Sequence, residues 1–218
     1  MIVTIDGPAG SGKSTAAREL AARLGFRFLD TGAMYRAVAW ECLARGVRPD
    51  DDEQVAAIAN RLRIELPAGR VLVDGRDVTE ALRTPEVTEA ASLVAVHPEV
   101  RRAMVRLQRA AAAGLDVVAE GRDQGTVAFP DAECKFFLTA DAEERARRRQ
   151  EELREQGSDV PFEQMLAWIR ERDERDEQRS VAPLKPAPDA TRIDTSHRPI
   201  DEVIALLERT VRARMPPG

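Results

Sequence analysis

The sequence is poor in lysine, histidine, cysteine and aromatic residues. Only three of its 33 basic residues are lysine, aromatic residues make up 4% of the chain, and there are two histidines and two cysteines. Cys42 stands in a helix-like run and Cys134 in an apolar strand, so we predict buried, unpaired thiols, and no metal-ligand spacing joins them to the histidines. A net charge of −5 argues against general affinity for nucleic acids, which requires a basic surface.

The chain also lacks long apolar segments. No stretch approaches the roughly 18 consecutive apolar residues of a membrane span. The first residues lack the basic region and apolar run of an export signal, so we expect a cytoplasmic protein without membrane contact. A length of 218 residues is enough for one α/β domain, which we take to cover residues 1–218 and expect to be a monomer.

Short apolar runs alternate with helical patterns along the chain. Five of the runs are typical of buried parallel strands, at Ile2–Ile5, Phe26–Leu29, Asp116–Ala119, Cys134–Leu138 and Thr191–Ile193. The helical patterns lie at Lys13–Leu24, Met34–Ala44, Glu53–Leu62, Pro98–Ala113, Asp141–Glu155, Phe162–Arg179 and Pro199–Arg214. The alternation predicts an α/β fold, with a five-stranded parallel sheet flanked by helices.

Two regions interrupt this alternation. Residues from about Leu62 to Thr79 have the pattern of a β-hairpin, with Pro67-Ala68-Gly69 as its turn. Residues 142–179 are dense in charges of both signs, a pattern typical of a solvated helix face.

The most specific motif is a phosphate-binding loop. Gly7, Gly12, Lys13 and Ser14 match the pattern G-x-x-x-x-G-K-[ST] between a predicted strand and a predicted helix. The glycines allow backbone N–H groups to converge on one anion at the helix N-terminus. Lys13 would bind the β and γ phosphates of a nucleoside triphosphate, and the Ser14 hydroxyl would bind Mg²⁺.

The remaining sequence favours a small kinase over other classes of P-loop protein. No Asn-Lys-x-Asp motif for reading guanine is present, and the chain is short for a motor or helicase. Arg36 and Arg122 follow predicted strand ends, which is where ligands bind in parallel sheets. A second bound phosphate is the ligand that such fixed guanidinium groups suit.

Four ordered stretches resemble bacterial cytidylate kinases, within the nucleoside monophosphate kinase group of P-loop kinases. They are Gly7–Thr15, Asp30–Arg36, Gly121–Thr126 and Glu171–Leu184. The resemblance spans nearly the whole chain. It implies transfer of a phosphoryl group from Mg·ATP to CMP or dCMP, an NMP-binding region at about residues 36–100 that includes the hairpin, and a lid at about residues 142–160.

The resemblance also implies roles for individual residues. The ATP phosphates would be held by Gly7, Pro8, Ala9, Gly10, Ser11, Gly12, Lys13, Ser14 and Thr15. The acceptor nucleotide would be held by Thr31, Arg36, Ser92, Arg101, Arg122, Asp123, Arg172, Asp176 and Arg179. The groups acting on the transferred phosphoryl would be Lys13, Arg36, Arg122 and the lid arginines Arg145, Arg148 and Arg149.

Hydrogen-bonding chemistry supports cytosine over uracil as the nucleobase of the acceptor. The Asp123 carboxylate can accept a hydrogen bond from the N4 amine of cytosine, and Arg101 can donate to N3 or O2. Uracil would present like partners to both groups and leave them unpaired. Two alternatives stay open: a kinase for UMP or a hydroxylated metabolite, and a binding module controlled by a nucleotide without turnover.

Overall fold

The structure is a computed structural model that describes residues 1–67, 69–155 and 157–215. The predicted turn residue Ala68, position 156 of the predicted lid and the last three residues lie outside the described residues.

The chain forms two compact units, Met1–Phe28 with Gly114–Gly218 (unit 1) and Leu29–Ala113 (unit 2). The strands are β1 Ile2–Asp6, β2 Arg27–Asp30, β3 Ile64–Glu65, β4 Leu72–Val73, β5 Arg76–Asp77, β6 Val117–Gly121, β7 Cys134–Thr139 and β8 Thr191–Asp194. The α-helices are α1 Lys13–Leu24, α2 Thr31–Ala44, α3 Asp52–Arg61, α4 Pro85–Val94, α5 Pro98–Ala112, α6 Ala142–Glu155, α7 Phe162–Gln178 and α8 Ile200–Arg212.

The predicted five-stranded parallel sheet is confirmed, in the order β2-β6-β1-β7-β8. Central β1 pairs in parallel with β6 and β7, and β7 pairs in parallel with β8. Both faces of the central strands are covered, which is why β6 and all but the last residue of β7 are buried rather than alternating between buried and exposed. Helices α1 and α8 pack apolar side chains such as Leu20 and Leu207 against this sheet.

Unit 2 has a core of its own, built by helices α2 to α5. Val38, Val55, Val94 and Met104 are among its fully or almost fully buried members. Strands β3, β4 and β5 form a small antiparallel sheet in this unit. Helices α2, α3 and α4 start at side-chain caps, for example Asp51, whose carboxylate accepts from the Gln54 N–H at 3.0 Å.

Three details of the sequence-based prediction were wrong. Helix α2 begins at Thr31 rather than Met34, because the Asp30 side chain accepts from the Ala33 N–H and caps the helix directly after β2. Helix α4 was not predicted at all. The hairpin has a third strand, β5, which follows a tight turn at Asp74 and Gly75, both with positive φ.

Two further expectations can be compared with the structure. Cys42 and Cys134 are both buried free thiols, as predicted. Within the part of the chain that the structure describes, no helix is long and apolar enough to cross a membrane.

Candidate active site

The phosphate loop of unit 1 connects β1 to α1 and is closely packed. A Cβ atom at Gly7 would lie 2.1 Å from the carbonyl oxygen of Leu138, and one at Gly10 would lie 2.9 Å from the Cβ of Arg145. Gly7 and Gly10 also have φ values of 152° and 75°, which side chains disfavour. The close approach of neighbouring backbone therefore requires glycine at both positions.

The loop presents polar groups suited to an anion. The Ser11 hydroxyl is buried and has no hydrogen-bond partner among the described residues. Lys13 is 6% exposed, and its Nζ donates to the Pro8 carbonyl at 3.0 Å. Burial lowers the pKa of Lys13 below its ordinary value of 10.5, and the nearby charge of Arg122 adds to this shift. A bound phosphate would stabilise the charged form of the lysine.

Ser14 contacts a buried carboxylate that the sequence analysis did not assign to the site. Its hydroxyl lies 2.8 Å from each carboxylate oxygen of Glu120, on β6. Glu120 is opposite Ile5 in the parallel pairing of β6 with β1, so two adjacent strands direct the loop and the carboxylate to the same edge. Hydroxyl and carboxylate oxygens are ligands that suit Mg²⁺, which also keeps waters and substrate phosphates as ligands.

A second cluster of unit 1 centres on Asp176, on α7. Arg122 Nε donates to the Asp176 carboxylate at 2.9 Å, and Arg179 Nη1 lies 3.7 Å from the other oxygen. Burial would raise the pKa of Asp176, but Arg122, Arg172 and Arg179 together hold that pKa below its usual 3.8. Burial also acts to lower the pKa of Arg122, but Asp176, together with Glu120 and Asp6, outweighs burial and raises that pKa.

The three predicted lid arginines lie on α6 and differ in their partners. Arg145 donates to both carboxylate oxygens of Asp173 at 2.9 and 2.6 Å and to the Ala9 carbonyl of the phosphate loop at 3.2 Å. Arg148 donates to Glu144 at 3.0 Å and to the Thr195 carbonyl at 2.7 Å.

The third of these, Arg149, donates to Glu152 at 2.8 Å, and its side chain is 28% exposed. By contrast, the Arg145 side chain is 6% exposed. Arg145 thus links α6, α7 and the phosphate loop. The role of Arg145, Arg148 and Arg149 in phosphoryl transfer stays a prediction.

The Gly121–Thr126 stretch begins at the last residue of β6. Asp123 is 3% exposed and precedes a π-helical turn at Gln124–Ala128. Two backbone N–H groups of this turn donate to Asp6, a residue that no sequence motif singled out.

In unit 2, Thr31 and Arg36 belong to the same helix, α2. Thr31 is buried at the first position of the helix, and Arg36 lies one turn later. Arg36 Nη2 donates to the Asp30 carboxylate at 3.0 Å, and the side chain of Arg36 is 31% exposed. The guanidinium is thus held by one carboxylate and still reaches solvent.

The other two predicted substrate residues of unit 2 lie on either side of a short turn. Ser92 is on α4 and Arg101 on α5, and both are buried. Arg101 Nη1 donates to the Ala95 carbonyl at 3.0 Å, and its guanidinium lies 5.6 Å from the Tyr35 ring centre.

Comparison with known proteins decides the family. The cytidylate kinase family model matches residues 3–213. The chain belongs to the cytidylate kinase family. A cytidylate kinase of Pelotomaculum thermopropionicum is 50% identical over 97% of this chain and 96% of its own length. One of Rhodopirellula baltica is 47% identical, over 97% of this chain and 93% of its own length.

Some relatives of this family are longer. Two bifunctional pantoate ligase/cytidylate kinases of Synechococcus strains are each 48% identical, and the match spans only 42% and 40% of their lengths. Among solved structures, an uncharacterized protein from Eubacterium ventriosum aligns with a TM-score of 0.57 over 98% of this chain and 99% of its own, at 13% identity. That similarity supports the fold alone.

Sequence reasoning missed three residues that contact the predicted site residues, two of them buried and Asp173 only partly so. Glu120 precedes Gly121-Arg122-Asp123, and its place at a strand end beside the phosphate loop was a usable signal. Asp173 lies within the Glu171–Leu184 motif, where acidic and basic residues alternate. The sequence therefore does not show which carboxylate pairs with which arginine. Thr195, whose hydroxyl contacts the Ser11 carbonyl at 3.0 Å, carries no pattern at all.

Proposed function

We propose that this chain transfers the γ-phosphoryl group of Mg·ATP reversibly to CMP or dCMP, giving ADP and CDP or dCDP. The observation that carries the proposal is the cluster of cations in the same unit as the phosphate loop. Two arginines, Arg122 and Arg172, and two carboxylates, Glu120 and Asp176, all act electrostatically on Lys13 there. Arg179 also acts on Asp176.

The charge balance of this cluster favours anionic ligands. Its four cationic side chains, Lys13, Arg122, Arg172 and Arg179, face three carboxylates, Glu120, Asp176 and Asp6, and Asp6 offsets less positive charge than the others because burial raises its pKa to about 7. Unbalanced positive charge in a dry environment is unfavourable, and the phosphates of two nucleotides would offset it. A kinase with a neutral acceptor would not need arginines beyond those that bind the donor.

The chemistry requires positioning and charge more than proton transfer. The acceptor phosphate oxygen is already anionic, so no side chain has to remove a proton from it. Lys13 and the arginines Arg36 and Arg122 would hold donor and acceptor in line and stabilise the charge on the equatorial oxygens. Lid arginines Arg145, Arg148 and Arg149 would act on the ATP phosphates.

The oxygen ligands at the loop fit a magnesium ion. Ser14 would hold Mg²⁺, with Glu120 accepting hydrogen bonds from its shell, and the ion would neutralise charge on the ATP phosphates. Glu120 also keeps the Ser14 side chain oriented through the contacts at 2.8 Å.

Base and ribose would be held by a separate set of residues. Ser92, Arg101 and Asp123 would read cytosine, and Arg172 and Asp176 would contact the ribose. Thr31, Arg36, Arg122 and Arg179 would bind the acceptor phosphate. The burial of Asp123 and Arg101 supports this role, because a hydrogen-bonding site discriminates most strongly when water cannot replace a missing partner.

The family likeness also supports the predicted segments. Residues of about 36–100 would form the NMP-binding region and residues of about 142–160 the lid, with closure over the substrates excluding water. We further propose a cytoplasmic monomer without nucleic acid or membrane partners.

The experiment is an assay of ADP release from Mg·ATP with CMP, dCMP, UMP, AMP, GMP and shikimate as acceptors. We expect rapid release with CMP or dCMP and slow release with the others. Faster turnover with UMP or shikimate would overturn the acceptor assignment. Tight nucleotide binding without turnover on any acceptor would support a binding module instead.

A further inference from the structure

Asp6 occupies an unusual position for a carboxylate. It is the last residue of β1, directly before the phosphate loop, and is 4% exposed. One of its oxygens accepts from the Gln124 N–H at 2.9 Å and the other from the Gly125 N–H at 2.8 Å. A single side chain therefore satisfies two consecutive backbone groups that lie 118 and 119 residues further along the chain.

These two N–H groups need an external partner. Gln124 and Gly125 open the π-helical turn, and the first N–H groups of any helical turn have no acceptor within it. The rest of the turn closes on itself, since the Val127 N–H donates to the Asp123 carbonyl at 2.9 Å and the Phe129 N–H to the Gln124 carbonyl at 2.7 Å. Asp6 thus caps the turn from a neighbouring strand.

The contact is also sterically tight. A Cβ atom at Gly125 would lie 3.0 Å from the Thr4 hydroxyl oxygen and 3.4 Å from the second carboxylate oxygen of Asp6. The turn consequently has little room to shift along β1. The two residues directly before it are Arg122 and Asp123, which the proposed function assigns to the acceptor phosphate and to the cytosine.

Stability alone does not account for a carboxylate here. Burial raises the pKa of Asp6 to about 7, against the opposing hydrogen bonds from Gly125 and Gln124. Because this folded value lies above the ordinary 3.8, the folded state is relatively favoured as the pH falls through 7. At higher pH the buried charge disfavours folding and offsets part of the stability that the two hydrogen bonds contribute.

We propose that Asp6 is a positioning residue, which fixes the Arg122–Asp123 segment by capping the turn that follows it and so sets the discrimination between cytosine and uracil. The inference rests on the proposed function. A displacement of about 1 Å at a reacting group can cost about 100-fold in rate. A smaller displacement of the Asp123 carboxylate still weakens its hydrogen bond to the N4 amine of CMP. UMP has no such amine, so it loses no hydrogen bond of this kind.

The test compares Asp6→Asn with the wild type for CMP and UMP. Asparagine keeps one acceptor oxygen and replaces the other with a donor, so it breaks one of the two hydrogen bonds. We expect the ratio of kcat/KM for CMP over UMP to fall by about tenfold or more, while the Kd for ATP changes less than about twofold. A merely structural defect would lower the active fraction and leave the CMP/UMP ratio unchanged.

A matched control stands at the other end of the same strand. Glu133 directly precedes β7, and its carboxylate accepts from the Ile2 N–H at 2.7 Å. Glu133→Gln therefore makes the same carboxylate-to-amide change in a side chain that contacts the start of β1. We expect it to leave the CMP/UMP ratio unchanged. Gly125→Ala provides a second route if Asp6→Asn does not fold, because the added methyl group displaces the turn while the carboxylate stays.

The outcomes separate this inference from the proposed function. A wild type without CMP kinase activity would refute the proposed function itself. An active wild type whose CMP/UMP ratio survives both Asp6→Asn and Gly125→Ala would refute only the role of Asp6. Loss of ATP affinity with an unchanged ratio would show that Asp6 acts on the phosphate loop instead.

Discussion

At the scale of single residues, we expect Lys13 to couple nucleotide binding to protonation. Burial lowers its pKa most, and the charge of Arg122 lowers it further. Part of the free protein therefore carries a neutral lysine as the pH rises. Bound phosphates favour the charged form, so binding of ATP must take up a proton above that lowered pKa. We expect the affinity for ATP to weaken with rising pH, by up to about tenfold per pH unit.

Calorimetric titration with ATP in two buffers of different ionisation enthalpy counts the protons taken up. The control is Lys13→Arg, whose guanidinium stays charged throughout, so proton uptake should vanish even if affinity is reduced. Equal uptake in both proteins would assign the proton to another group.

Arg36 should matter for turnover and little for folding. Its ion pair with Asp30 is partly exposed, at 31% and 23% of the two side chains, so Arg36→Ala should cost about 0–1 kcal/mol of the free energy of unfolding. Asp30 keeps its capping bond from the Ala33 N–H. We expect kcat/KM for CMP to fall by about 100-fold or more, because a fixed charge on the acceptor phosphate is lost.

Steady-state kinetics and urea unfolding measure these two effects. Arg23→Ala removes another exposed ion pair, with Glu208 at 3.4 Å, and should leave both quantities nearly unchanged. Near-normal activity of Arg36→Ala would exclude Arg36 from the acceptor site.

The residues that could be predicted from the sequence are those that stand close together in it. The phosphate loop is a run of consecutive residues, so its motif was sufficient to locate it. Arg122 and Asp176 are 54 residues apart and meet only because β6 and α7 bring them together. The pairing of Asp6 with Gly125 depends on how two strand ends align, which no spacing encodes.

At the scale of elements, the central strands β1, β6 and β7 were predicted well because burial on both faces produces continuous apolar runs. The first helix was predicted with its observed bounds, since Gly25 terminates it in a left-handed conformation. Helix α4 could have been predicted, because Thr84 caps it and Pro85 opens it. Strand β5 is two exposed polar residues without apolar alternation, and only the Asp74-Gly75 pair indicated its turn.

The packing of α6 on α7 should depend on one buried ion pair. The side chains of Arg145 and Asp173 are 6% and 17% exposed and form two hydrogen bonds. Asp173→Ala would leave a buried guanidinium without its carboxylate, which costs about 3–5 kcal/mol of the free energy of unfolding. Since Arg145 also donates to the Ala9 carbonyl, we expect the KM for ATP to rise as well.

The same two helices supply the control. Arg170 on α7 donates to Glu143 on α6 at 2.9 Å, but these side chains are 62% and 47% exposed. Arg170→Ala should therefore cost at most about 1 kcal/mol. Urea unfolding of the two variants compares them directly, and equal losses would contradict the importance of burial for this link.

At the scale of the whole molecule, the proposed ligand residues are distributed over two units with separate cores. Residues assigned to ATP, Gly7–Thr15, belong to unit 1 alone. Those assigned to CMP belong to both units, with Thr31 and Arg36 in unit 2 and Arg122 and Asp123 in unit 1. The two nucleotides should therefore protect different sets of backbone amides from hydrogen exchange.

Hydrogen exchange measured by mass spectrometry tests this distribution. We expect ATP to slow exchange in peptides that cover Gly7–Thr15, and CMP to slow exchange both at Thr31–Arg36 and at Gly121–Thr126, since contacts with a ligand suppress local opening. UMP at the same concentration serves as the control and should protect these two segments less. Protection by CMP in one unit only would mean that the residues of the other unit do not bind the acceptor, and Arg36 or Asp123 would lose its assigned role accordingly.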